Sequence, residues 1–113
     1  MSRRTFPLLI EDIWEAVEKI ERYVSGMDHN AFVKDEKTVD SVVRNLEIIG
    51  EAAKGLPEPV RARHAEIDWR RIAGLRNLLI HEYFGVDATI IWDIVQNKLT
   101  ALENASQEIL GIS

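Results

Sequence analysis

The sequence predicts an all-α fold, a single antiparallel bundle of four main helices spanning residues 1–113. Three observations carry that prediction. Apolar residues recur every three or four positions over four long stretches, the period of an amphipathic helix. Each stretch is bounded by an aspartate, glycine or proline of the kind that starts or stops helices. No stretch shows the strict alternation of a half-buried strand, and there is neither an internal repeat nor a low-complexity segment.

The first helix is read from Leu8 to Val24, with Leu9, Ile10, Ile13, Trp14, Val17, Ile20 and Val24 as its stripe and the acids mostly on the other side. Pro7 stands at its start, where a missing N–H costs little, and Ser25-Gly26 ends it. His29 to Lys34 reads as a connection anchored by Phe32. Asp35 then leads a second long helix through Lys54, striped by Val39, Val42, Val43, Leu46, Ile49 and Ala53, with Ile48 beside them. Gly50 in its interior costs about 1 kcal/mol relative to alanine, which implies a packing reason such as close approach of a neighbouring helix. Gly55 supplies the stop, and Pro57 and Pro59 confirm it.

Pro57 to Ile67 is too proline-broken for a long helix, although Glu58 to Arg63 can form a short one. Asp68 is a suitable N-cap for a third main helix from Trp69 to about Tyr83, released by Gly85. Asp87 caps the fourth, Ala88 to about Leu110, with Ile91, Ile94, Val95, Leu99, Leu102 and Ile109 facing the core.

Composition narrows the classes of function. With no cysteine, disulfides and thiolate chemistry are excluded. Basic residues near the N-terminus are followed by Glu11 and Asp12 instead of an apolar run, and no stretch approaches a membrane span. A soluble, cytoplasmic protein is therefore expected. The net charge of −5 argues against a general nucleic-acid coat, and nothing signals DNA binding. Between Arg61 and His81, however, five arginines face only Glu66 and Asp68, a locally basic stretch on an acidic body. His29, His64, His81 and the scattered carboxylates show no metal-ligand spacing, so neither metal nor cofactor is expected.

The third helix holds the chemistry. Each residue advances about 100° around the axis, so Ile72, Leu75, Leu78 and Leu79 share an arc of roughly 120° that forms its core stripe. Arg76 and Tyr83 lie along one edge of that arc, while Asn77, His81 and Arg70 line another face. Each polar residue has a plain structural reading. His81 in the last turn complements the helix dipole, and Arg76 is within reach of Glu47 or Glu51 on the second helix. Asn77 need only hydrogen-bond, and Tyr83 need only pack.

Together, Arg76-x-x-x-x-His81-x-Tyr83 with Asn77 after the arginine resembles the signature of the HEPN superfamily, and the tyrosine points to its HepT-like toxin branch. The resemblance extends through Leu46-Glu47-Ile48-Ile49-Gly50-Glu51-Ala52-Ala53, Trp69 to Asn77, and His81 to Asp87, and with the helix pattern covers nearly the whole chain. It implies a HEPN-like ribonuclease toxin, paired with a minimal nucleotidyltransferase antitoxin that transfers AMP from ATP to the motif tyrosine. By the same resemblance Arg76 and His81 are catalytic, Asn77 supports the site, Tyr83 is the modified residue, and the chain forms a homodimer in which motif helices meet.

Metal-independent RNA cleavage needs proton transfer at the ribose 2′-OH and the leaving oxygen, and a cation for the charge developing on phosphate. Histidine and arginine suit those tasks. The competing reading is a non-catalytic helical module that binds a nucleotidyltransferase or a nucleotide with the same side chains. The net acidic charge favours this alternative, and the motif favours the enzyme.

Overall fold

The computed structural model describes residues 5–82 and 87–111, with the side chains of residues 80–82 outside the description. The described residues form six helices and no strand: α1 (Phe6–Val24), α2 (His29–Lys34), α3 (Glu36–Lys54), α4 (Glu58–Ala62), α5 (Trp69–Glu82) and α6 (Ala88–Leu110). Four of these are the expected long helices. No helix among the described residues is long and apolar enough to cross a membrane.

Aspartates start the helices at the backbone level. Asp28 accepts from the Ala31 N–H at 2.8 Å, Asp35 from Thr38 at 3.1 Å and Asp87 from Thr89 at 2.8 Å. Asp68 accepts more weakly from Arg71, at 3.3 Å. Each satisfies a donor that a helix leaves unpaired in its first turn. The Thr38 N–H also holds the Asp35 carboxyl below its ordinary pKa, because the hydrogen bond favours the charged form.

The segment expected to be a connection, His29–Lys34, is a helix instead. Its six residues are too few to show a period, but the Asp28 cap was readable. Phe32 is fully buried and its ring lies 5.1 Å from that of Trp92, so α2 pins α6 to the bundle. His29 Nε2 lies 2.8 Å from Thr89 Oγ1 and adds a polar tie to the start of α6.

α3 lies at the centre of the packing, with α1 and α5 against it, while α6 packs on α1. The expected stripe of α3 is buried throughout, and Asn45 joins it by donating to the Ser41 carbonyl at 2.9 Å. On α6, Ile94 and Ile109 are only partly buried, and the small Ala105 and Ser106 complete the inner face. Leu78 is likewise only partly buried. With Leu75, Ile94 and Ala101 it lines a groove of about 520 Å³ between α5 and α6.

Gly55 stops α3 without the left-handed backbone expected of a terminal glycine, since its φ is −86°. A Cβ there would come 3.1 Å from a Leu9 methyl carbon, so the residue is small to admit α1. Beyond it, the Trp69 indole N–H donates to the carbonyls of His64 at 3.0 Å and Arg61 at 3.1 Å, fixing the link from α4 to α5.

Candidate functional site

The helix carrying the motif is positioned by one close contact. A Cβ built on Gly50 of α3 would lie 3.0 Å from both the Arg76 amide nitrogen and the Ile72 carbonyl oxygen of α5. The two backbones therefore meet where only glycine fits, the packing reason expected for that residue. Ile72, Leu75 and Leu79, with Trp69 at the helix start, are the buried residues among the described side chains of α5.

This contact sets the course of Arg76. Its side chain is 43% exposed and its Nε lies 3.0 Å from Glu51 Oε2 on α3. Of the two acids within reach in the sequence, Glu51 takes the pair, whereas Glu47 lies 3.8 Å from Arg44. Arg76 borders a shallow groove of about 330 Å³ shared by α1, α3 and α5, with Asp12, Arg44, Glu47 and Glu51 around it.

Asn77 and Arg70 point away from the bundle and are exposed. Gly74 lies on the same side, and a Cβ there would meet no described atom within 4 Å. His81 continues α5 in helical conformation, and its backbone position is about 140° around the axis and ~7.5 Å along it from Arg76. Its side chain lies outside the described residues, as does all of Tyr83. Within one chain, then, Arg76 turns towards α3 while Asn77 and the His81 register position belong to the outer flank of α5.

The locally basic stretch is less basic in space than in sequence. Arg61 pairs with Glu58 at 2.9 Å, Arg71 with Asp68 at 3.5 Å and Arg76 with Glu51 at 3.0 Å. Arg63 and Arg70 remain exposed. The other histidines have local roles. His29 bonds Thr89, and buried His64 supplies its carbonyl to Trp69 with Nδ1 3.5 Å from Glu66.

One cluster escaped the sequence reading. Glu18 and Glu21 of α1 and Glu103 of α6 bring carboxylate oxygens within 4.8 Å of one another. A hydrogen bond to Glu103, then partial burial and the Glu103 charge, push the Glu21 carboxyl up to about 8. The i, i+3 spacing of Glu18 and Glu21 was visible, but their proximity to Glu103 depends on how α1 and α6 pack.

An all-α bundle with an Arg-Asn pair on its third long helix, and His81 five residues after the arginine on the same helix, defines a HEPN-type domain. Residues 13–109 match the family model described as ribonuclease HepT-like, and the chain belongs to that family. It is 44% identical over 101 residues to a protein of Caldanaerobacter subterraneus subsp. tengcongensis provisionally named an RNase, covering 89% of this chain and 90% of that one. A probable ribonuclease HepT of Thermococcus cleftensis is 39% identical over 107 residues, 95% of this chain and 97% of its own. A provisionally named RNase of Methanocaldococcus jannaschii is 41% identical over 99 residues, covering 88% and 82%. No solved structure gives a significant match.

Proposed function

We propose that the protein is a metal-independent ribonuclease, the toxin of a toxin–antitoxin pair. Arg76 and His81 are its catalytic residues and Asn77 supports them. The observation that carries this reading is the intact Arg76-Asn77…His81-x-Tyr83 series in the sequence of a HepT-like family member, with Arg76, Asn77 and His81 on α5, whose Arg70–Gly74–Asn77 flank is exposed. His81 moves the proton between the ribose 2′-OH and the leaving oxygen, and Arg76 balances the charge that develops on phosphate.

The protein acts as a homodimer joined through α5. Gly74 supports this arrangement, since an interior helix glycine at which an added Cβ meets no described atom within 4 Å leaves room for a second backbone to approach. Two motif helices then supply two histidines and two arginines. A nucleotidyltransferase antitoxin silences the enzyme by transferring AMP to Tyr83, which adds bulk and negative charge where RNA phosphate must lie.

Incubation of the purified protein with RNA and a chelator tests the reading. Native protein is expected to cut, while His81→Ala and Arg76→Ala do not. A native protein inactive on every RNA tried, or variants that cut equally well, would refute catalysis. That outcome would favour a non-catalytic module binding a nucleotidyltransferase or nucleotide, a reading supported by the net charge of −5 and the pairing of Arg76 with Glu51.

A further inference from the structure

The geometry points to Glu51 as a positioning residue for Arg76, an inference that rests on the ribonuclease reading above. The Glu51 carboxylate does not touch substrate in this scheme. It acts by holding the guanidinium that does.

The juxtaposition arises from the neighbouring residue on α3. Because Gly50 admits the α5 backbone, the residue after it stands beside the Arg76 side chain as it leaves that backbone. Glu51 Oε2 then meets Arg76 Nε at 3.0 Å. A pair with side chains 43% and 60% exposed contributes little to stability, so keeping the fold together does not explain it. Its effect is on direction. Arginine is long and rotamer-rich, and anchoring Nε fixes the plane of the guanidinium. The opposite edge, Nη1 and Nη2, is then presented as the two-pronged donor that matches a pair of phosphate oxygens.

The neighbouring acids are placed differently from Glu51. Glu47, one turn earlier on α3, lies by Arg44 at 3.8 Å. Asp12 approaches the groove from α1, an element that the Gly50 contact does not hold against α5. Among the described acids, Glu51 directly follows the Gly50 contact on α3 and pairs with Arg76. Its negative charge also works against an incoming phosphate, so positioning and affinity pull in opposite directions. That opposition gives the role a kinetic signature.

The test is steady-state cleavage of a short RNA by native protein, Glu51→Gln and Glu51→Asp. Glu51→Gln is expected to lower kcat about tenfold or more through a misdirected guanidinium, with KM unchanged or lower. Glu51→Asp should recover part of the loss. With lysine in place of Arg76 there is no Nε to anchor, so adding Glu51→Gln to Arg76→Lys should cost nothing further. The Arg76 Nε–H signal in the nitrogen-15 NMR spectrum should be protected from solvent exchange in native protein and exposed in Glu51→Gln.

An unchanged kcat in Glu51→Gln overturns the inference while leaving the ribonuclease reading intact. So does a raised kcat, which would make Glu51 a brake, or a lowered urea midpoint with full activity, which would make it structural. Native protein that cuts no RNA overturns both.

Discussion

Two glycines in helix interiors, one on each side of the motif helix, make opposite predictions under the same substitution. At Gly50 an added methyl meets two backbone atoms at 3.0 Å, so α3 and α5 must separate to admit it. Overpacking of this kind costs about 1–3 kcal/mol, against which alanine returns ~1 kcal/mol of helix propensity. Gly50→Ala is therefore expected to destabilise the fold by about 1 kcal/mol net, and by up to ~2 kcal/mol if the helices resist sliding. At Gly74 the methyl meets no described atom, so Gly74→Ala should gain the ~1 kcal/mol of propensity and lose nothing within the chain. Urea unfolding at concentrations low enough to favour monomer separates the two through opposite shifts in midpoint at constant slope. In a domain of this size 1 kcal/mol corresponds to roughly 4 °C in melting temperature. Two alanine variants equally stabilised, or Gly50→Ala indistinguishable from native protein, would refute the close α3–α5 contact and with it the placement of Arg76.

Other expectations are simpler to state. Phe32→Ala empties a fully buried site between α2 and α6 and should cost ~3–5 kcal/mol by denaturant unfolding. Asp87→Ala removes the cap of α6 and should cost about 1 kcal/mol by the same measurement. Glu21 holds a proton in the folded chain up to about pH 8, whereas its ordinary value is 4.5, so its stabilising contribution is complete below pH 4.5 and lost as pH rises through 8. Because Glu21 is solvent-exposed the effect is screened to roughly 1 kcal/mol or less, and Glu21→Gln should be more stable than native protein at pH 9 but not at pH 4. Under the proposed toxin–antitoxin reading, co-expression with the nucleotidyltransferase partner should add the mass of AMP to the intact protein, and Tyr83→Phe should abolish the addition. Modification mapped to Tyr23 would refute the assignment.

Much of this molecule was legible because its long helices obey one rule at every level. In α3 the apolar period, the Asp35 cap and the buried set coincide, and even the anomaly at Gly50 announced a neighbour. α2 was missed because six residues cannot display a 3.6-residue period, and its evidence lay in a cap and a single aromatic. On α6, Ile94 and Ile109 do pack against the core but stay partly exposed, because the period marks only which residues are apolar. It does not show how far the neighbouring helix reaches, and at Ile94 the groove between α5 and α6 stays open. At the site, charge counting along the chain overstated the basic patch. Glu58 falls just outside the counted window, and Glu51 belongs to another helix altogether.

The pairing of Arg76 with α3 bears on why one chain is insufficient for the proposed chemistry. A phosphate held by Arg76 sits beside the groove of α1, α3 and α5, whereas the His81 register position is about 140° further around α5. Turning Arg76 outward to meet it would mean giving up Glu51, and turning the helix would break the Gly50 seam. A two-fold contact avoids both costs, since each chain presents the same flank and every cross-contact occurs twice. Under the proposed dimer, Arg76 stays anchored on α3 and the histidine it works with comes from the opposite copy. In that proposed arrangement bundle packing fixes one half of the site, and the exposed flank of α5 at Gly74 and Asn77 would recruit the other half.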